Sequence, residues 1–250
     1  MYKQIFLKRG KEESLKRFHP WIFSGAIHHM DEGIEEGETV RVITAAGEFI
    51  AVGHYQIGSI AVRVLSFEDI EINTDFWCER LQSALDVRIG VGIADSPTNN
   101  TYRLVHGEGD YLPGLVIDCY GSTAVMQAHS VGMHVCRNEI CQALVQVMGD
   151  RIANVYYKSE TTLPYKADLH QENGFLVGGD ASNVAMENGL KFHIDWLRGQ
   201  KTGFFVDQRE NRSLLEHYAK GKSVLNMFCY TGGFSVYAMR GDAKQVHSVD

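Results

Sequence analysis

The stretch SVLNMFCYTGGFSVYAMRGDAKQVHSVD, which closes the chain at Asp250, constrains the fold more than any other. SVLNMF is an apolar strand, TGGFSVYAMRG opens a helix, and KQVHSVD is a second short strand ending in an acid. Two strands joined through a helix in so few residues form a β-α-β unit, whose strands run parallel with a right-handed crossover. Gly232 and Gly233 occupy the turn where a ligand can approach the backbone, and the helix that follows presents unpaired N–H groups and a partial positive charge. Asp250 lies 18 residues beyond Gly232, near where an acid accepts hydrogen bonds from ribose hydroxyls. Together these features point to an adenosine-containing ligand. The turn Y-T-G-G-F-S lacks the third glycine of G-x-G-x-x-G, so a pyrophosphate-bearing dinucleotide fits less well. S-adenosylmethionine carries no phosphate; its carboxylate and amine can be held by the turn backbone and by a side chain such as Asn226. The bland alternative is a plain structural turn.

Upstream, the runs TVRVIT, EFIAVGHY and SIAVRVLSF alternate apolar and polar residues, with Gly47 and Gly58 between them, and predict a small, strongly curved β domain over residues 1–72. Phe76, Leu81, Leu85 and Ile89 fall near helical spacing in residues 75–92, with Asp75 available as a cap or first-turn acid. Two strands flank Gly121 and Ser122, a helix is expected over 131–148, and further strands over 154–159, 174–179 and 190–196 complete a central α+β unit spanning about 75–188. After Gly199 the pattern changes. A helix starts near Gln208 with Leu214, Leu215 and Tyr218 as its expected buried stripe, and residues 190–250 begin an α/β domain.

The 250 residues carry a formal net charge of -7, which argues against indiscriminate polyanion binding, but the charge is uneven. Residues 1–30 hold Lys3, Lys8, Arg9, Lys11, Lys16 and Arg17 against only Glu12 and Glu13, whereas residues 31–100 are acidic. No apolar run approaches the ~20 residues of a membrane span, and the N-terminus lacks a signal-peptide core, so the expected address is cytoplasmic, away from membranes. The five cysteines are odd in number and have no C-x-x-C pairing, which indicates neither a disulfide framework nor a metal site. Cys136 and Cys141 read as small buried hydrophobes.

Four stretches, HPWIFSGAI (19–27), GEGDYLPGLVIDCYG (107–121), KTGFFVDQREN (201–211) and VLNMFCYTGGFSVYA (224–238), resemble the bacterial class I ribosomal RNA cytosine-C5 methyltransferases of the large-subunit methyltransferase I type. The resemblance implies an N-terminal PUA-like β barrel that binds RNA, a central mixed α/β domain and the start of a Rossmann-like methyltransferase domain. It implies S-adenosyl-L-methionine as cofactor and 23S-type ribosomal RNA as partner; a homodimer is compatible with it. Lys201, Thr202, Phe204, Gln208 and Arg209 would fold over the cofactor, with Asn226, Phe228, Thr231, Gly232, Gly233 and Asp250 on the other side. For Phe205 and Asp207 the plainer roles of core residue and helix cap are preferred. RNA contacts are implied near Lys16, Arg17, His19 and Trp21: the cations neutralise phosphate, and Trp21 either stacks on a base or packs in a small core. Pro113 and Gly114 read as a structural turn.

In this family's chemistry a cysteine thiolate adds to carbon 6 of cytosine, making carbon 5 nucleophilic enough to take the methyl group. Family members carry that cysteine and an acidic-proline loop downstream, so the expectation is a chain lacking its catalytic residues, which lie beyond residue 250, and inactive alone. Cys229, near the inferred cofactor, is expected to line the pocket rather than act as nucleophile. The competing readings are an RNA-binding module without catalysis and a nicotinamide-dependent oxidoreductase.

Overall fold

The computed structural model describes residues 2–164, 169, 172–179 and 183–250. The N-terminal unit is one six-stranded sheet in the order β2-β6-β5-β4-β1-β3, built from β1 (Lys3–Leu7), β2 (Trp21–Phe23), β3 (Ile27–Met30), β4 (Thr39–Ile43), β5 (Phe49–Tyr55) and β6 (Ile60–Ser66). Only β1 and β4 pair in parallel. The alternating residues of the sequence curl round Ile5, Leu7, Ile22, Val40, Val42 and Val62, while the edge strands β2 and β3 do not pair with each other, so the expected barrel is a half-barrel.

The central sheet has the order β11-β10-β9-β8-β7, from β7 (Thr101–His106), β8 (Leu115–Tyr120), β9 (Thr123–Ala128), β10 (Asn154–Tyr157) and β11 (Gly174–Val177). All six residues of β9 are buried because both faces of the sheet are covered. On one face, Ala124, Met126 and Ala128 meet α1 (Thr74–Gly90) and α3 (Arg137–Met148) through Trp77, Leu81 and Leu144. On the other, Tyr120, Val125 and Tyr156 pack against Phe192, Trp196 and Phe204, which follow or belong to the hairpin β12 (Val184–Glu187) and β13 (Leu190–His193). Each such aromatic contributes about 1.5–3 kcal/mol on full burial. The second core also takes in Tyr237 of α5 (Gly233–Arg240), which ties the C-terminal unit to the central sheet. That unit comprises α4 (Arg209–Tyr218), β14 (Ser223–Met227), α5 and β15 (Gln245–Val249), with β14 and β15 parallel as their spacing demands.

One local expectation narrows and three change. The cap of α1 is Asn73, whose side chain accepts from Phe76 N–H at 3.0 Å, leaving Asp75 as a first-turn acid. Ile89 is partly exposed on the last turn of that helix. The helix expected over 131–148 breaks at Cys136 into α2 (Val131–Val135) and α3, and Arg137 Nη1 donates to the freed His134 carbonyl at 2.9 Å. In α4, Leu214 and Tyr218 point outward, because the inward position is taken by Arg212.

The first and central units meet at His54, fully buried against α2 with its Nε2 3.7 Å from the Cys136 sulfur. A side chain at Gly132 would overlap the imidazole, so glycine is required there. Desolvation, with a smaller contribution from Arg63, pushes the His54 pKa down to about 4. The imidazole is neutral in the fold, whereas the unfolded chain takes up a proton near pH 6.5, so folding stability is complete above 6.5 and is lost as pH falls towards 4. Urea midpoints should drop by the equivalent of about 3 kcal/mol across that window, and His54→Gln should flatten the dependence. An unchanged slope in the variant would contradict this.

Candidate functional site

The site begins where β14 ends. Between Met227 and α5 the chain takes left-handed conformations at Phe228 (φ 56°), Tyr230 (φ 49°) and Gly232 (φ 71°). At the two aromatic positions this costs about 1–2 kcal/mol each, and such strain persists only where neighbours fix it. The fixing contacts are present. Cys229 N–H donates to the Val249 carbonyl at 3.1 Å, Gly232 N–H to the Cys229 carbonyl at 2.8 Å, and Tyr230 N–H to Asp250 Oδ1 at 3.1 Å. The Tyr230 hydroxyl accepts from Gln200 N–H at 2.8 Å and donates to the Gly203 carbonyl at 3.2 Å. No side chain caps α5, whose first turn therefore keeps its donors for another partner.

This turn forms one wall of a cleft of about 400 Å³, with Phe228, Cys229, Thr231, Gly233 and Phe234 contributing. Lys201, Phe205, Asp207, Gln208 and Arg212 form the facing wall. Arg212 is buried and committed: it donates to both Glu187 carboxylate oxygens, at 2.9 and 2.7 Å, and to the Phe205 carbonyl at 3.0 Å. Gly233 makes room for it, since a Cβ there would stand 3.1 Å from Arg212 Cδ. Lys201 Nζ lies 4.3 Å from the centre of the Phe205 ring and has no carboxylate partner among the described residues. Burial opposes ionisation of Asp207, but the Gln208 hydrogen bond, its own backbone N–H and the charges of Lys201 and Arg103 outweigh it and hold the carboxyl below its usual range. Among the described residues the cleft thus offers one cation without a carboxylate partner, uncapped helix donors and aromatic faces, while the Asp250 carboxylate braces its turn with one oxygen and keeps the other unpaired.

Of the residues singled out from sequence, Lys201, Gln208, Phe228, Thr231 and Gly233 line the cleft, while Gly232 and Asp250 shape its turn. Asn226 lies behind it, donating to Ser235 Oγ at 2.9 Å. Thr202, Phe204 and Arg209 turn inward instead. The Thr202 hydroxyl donates to Asp118 at 2.6 Å, Phe204 packs on Phe192, and Arg209 donates to the Thr101 carbonyl at 2.5 Å. Phe205 and Asp207 reverse expectation the other way and face the cleft, because Phe204 and Val206 alternate with them into the core. Sequence reasoning misses Tyr230, Phe234 and Arg212; a signal for Arg212 is its position on the inward face of a helix expected to bury leucines. Among the other cysteines, burial pushes the thiols of Cys119 and Cys136 up to about 12 and that of Cys141 up to about 11, so these three stay protonated at neutral pH.

In the N-terminal unit, Lys16 pairs with Glu13 at 2.9 Å and Arg17 Nε donates to the Glu13 carbonyl at 3.3 Å, both exposed. His19 Nδ1 accepts from Trp21 N–H at 3.2 Å. Trp21 is neither free to stack on both faces nor a core residue: it is half-buried, and its indole N–H donates to Glu108 of the central unit at 2.8 Å.

Residues 5–67 match the PUA-like domain family, and residues 166–250 match the S-adenosylmethionine-dependent methyltransferase family. Over the whole chain the sequence is 42% identical to ribosomal RNA large subunit methyltransferase I of Vibrio parahaemolyticus and 40% identical to that of Aliivibrio fischeri. The chain spans 63% of the length of these relatives. Among solved structures, a protein assigned as an S-adenosylmethionine-dependent methyltransferase from Streptococcus mutans superposes with a TM-score of 0.81 at 27% identity, covering 99% of this chain and 63% of that one. A second, assigned as a methyltransferase and crystallised with SAH, gives 0.82 at 26% identity, covering 99% of this chain and 62% of that one.

The Arg212–Glu187 pair is shut away from water, so removing one partner strands a charge. Glu187→Ala should cost about 3–5 kcal/mol in urea unfolding. A loss below about 1 kcal/mol would show that the pair does not hold the C-terminal unit in place.

Proposed function

We propose that the chain belongs to the family of ribosomal RNA large subunit methyltransferase I, with PUA-like and S-adenosylmethionine-dependent methyltransferase domains, and that the β14–α5 cleft binds S-adenosylmethionine for methylation of ribosomal RNA. The observation that carries the reading is a cleft built on the strained turn after β14, with Lys201 on its facing wall and the Asp250 carboxylate accepting from the turn's own Tyr230 N–H. Lys201 and the α5 N-terminus together hold the cofactor's carboxylate, and the free Asp250 oxygen accepts from the ribose hydroxyls. Phe205, Phe228 and Phe234 supply apolar faces.

The methyl acceptor in this proposal is carbon 5 of a cytosine in 23S-type ribosomal RNA, a reading supported by the four stretches that resemble the cytosine-C5 enzymes. The cofactor supplies an electrophilic methyl group. The residues of this chain bind and orient it, and Cys229 lines the cleft beside it. Among the described residues no helix is long and apolar enough to cross a membrane, and a cytoplasmic site of action goes with the ribosomal substrate.

Calorimetry with S-adenosylhomocysteine tests the assignment of roles. Charge-assisted hydrogen bonds are worth about 1.5–3 kcal/mol, so Lys201→Ala should weaken S-adenosylhomocysteine about tenfold or more while leaving adenosine unchanged. Asp250→Ala should weaken both. Tighter binding of NAD than of S-adenosylhomocysteine would replace the proposal with an oxidoreductase reading, and equal losses in the two variants for both ligands would refute the division of roles between Lys201 and Asp250.

A further inference from the structure

Two of the four sequence stretches that carry the family resemblance lie outside the cofactor cleft and meet each other instead. Residues 19–27 and 107–121 join where Trp21 reaches Glu108, at the rim of a second cleft of about 490 Å³ between the N-terminal and central units. One side carries Phe18, 71% exposed, with its ring edge-on to Phe67 at 5.2 Å between centroids. The other carries Tyr111, 66% exposed. Both aromatics follow a one-turn helix in a left-handed conformation (φ 60° and 57°), which leaves their rings standing out from the surface rather than folded into a core.

Arg80 of α1 lines the same cleft, with its guanidinium 5.2 Å from the Phe76 centroid and 5.7 Å from that of Tyr111. It makes no hydrogen bond and no ion pair among the described residues, and its Nε is buried with no acceptor. A guanidinium within reach of two rings, with no acceptor for its donors among the described residues, can turn its terminal N–H groups to a ligand in the cleft. Glu68, Glu79 and Glu108 also face the cleft. Three carboxylates repel a phosphate, so the occupant is not an RNA backbone. It is a flat, neutral group that stacks on aromatic rings, accepts from a guanidinium and donates to a carboxylate.

We infer that this cleft captures an unpaired guanine of the RNA substrate, stacked against Phe18 or Tyr111, with Arg80 on its O6 and N7 and a cleft carboxylate on its N1–H and amino group. Guanine alone among the four bases presents two adjacent acceptors on one edge and two parallel donors on the next. Adenine would turn its amino group towards Arg80, and cytosine offers a carboxylate only one donor group. Extruded, unstacked bases are what sequence-reading proteins take from RNA. The inference rests on RNA being the substrate, and it concerns a cleft distinct from that of the cofactor.

The test is fluorescence anisotropy of labelled hexauridylates carrying one central guanosine, adenosine, cytidine, inosine or 7-deazaguanosine, titrated with the full chain. The guanosine oligonucleotide should bind about tenfold more tightly than the adenosine or cytidine one, and loss of the 2-amino group or of N7 should each remove part of that advantage. Arg80→Ala should abolish the preference, and Arg80→Lys, which keeps the charge and the packed stem, should do the same. Replacing Phe18 and Tyr111 together by alanine should weaken all five. Equal affinity for guanosine, adenosine and cytidine, no binding of any of them at about 100 µM, or an intact preference in a folded Arg80 variant overturns the inference. S-adenosylhomocysteine titrations of the same proteins separate the two sites: failure of cofactor binding with guanine preference intact refutes only the cofactor reading, and the converse refutes only this one.

Discussion

Glu187 holds the methyltransferase-like half of the molecule against the rest. Its carboxylate, at the end of β12, accepts both forks of Arg212 from α4 and the Tyr237 hydroxyl from α5, at 2.9 Å, so three elements distant in sequence converge on one buried anion. Two ions withdrawn from water gain little net stability, but the arrangement is intolerant of any other register, because a shift of one residue leaves a charge unpaired. That exclusivity sets where α4 lies against α5, and hence how wide the cleft between them stands. Gly233 completes the arrangement by letting the backbone close over the Arg212 side chain.

A second polar joint does the same work one layer up. Asp118, fully buried in β8, accepts from Arg103 Nε and Nη2 at 2.8 and 2.9 Å and from the Thr202 hydroxyl at 2.6 Å, while Tyr120, two residues on, meets that hydroxyl at 2.8 Å. An acid in the middle of a strand that reads LVIDCY looks out of place when both faces of a sheet are to be covered. The loop it receives explains it: the sheet is buried on that face by polar chain as well as by aromatics.

Much of this was legible in the residues, and what was not has a common cause. Strand alternation, the Gly-Gly turn and the spacing to Asp250 are local signals, and the parallel β14–β15 pair and the curved N-terminal sheet followed from them. The resemblance to the methyltransferases came from whole stretches, not from single residues. The misplacements, Leu214 and Tyr218 outward, Phe205 and Asp207 into the cleft, Thr202 and Arg209 away from it, all depend on which partner arrives from elsewhere in the chain. Leu214 loses its inward place to Arg212 because Glu187 is there to meet it, and no periodicity within α4 encodes Glu187. Trp21 likewise could not be assigned from the Pro-Trp pair alone, since Glu108 lies 87 residues away.

Several residues that do not line the β14–α5 cleft fix the loop that carries Lys201, a cation with no carboxylate partner among the described residues. The Lys201 side chain projects from a loop whose backbone is gripped on every side: Lys158 Nζ donates to the Gly199 carbonyl at 2.6 Å, Gln127 Nε2 to the Lys201 carbonyl at 3.4 Å, and the Tyr230 hydroxyl to that of Gly203 at 3.2 Å. Thr202 is pinned below by Asp118. Lys201 itself takes a left-handed conformation, φ 50°, which a free chain would leave at once. Holding a lysine in that posture costs free energy in the folded protein, and in the proposed site it lessens the ordering that binding an anion requires, ordering being a main cost of binding. Lys158 is itself drawn from water for this purpose, desolvation lowering its pKa, and that places part of the cost of the site in the central sheet rather than in the cleft. The central unit is therefore more than a spacer: its buried polar residues set the posture of the loop that carries Lys201 to the cleft.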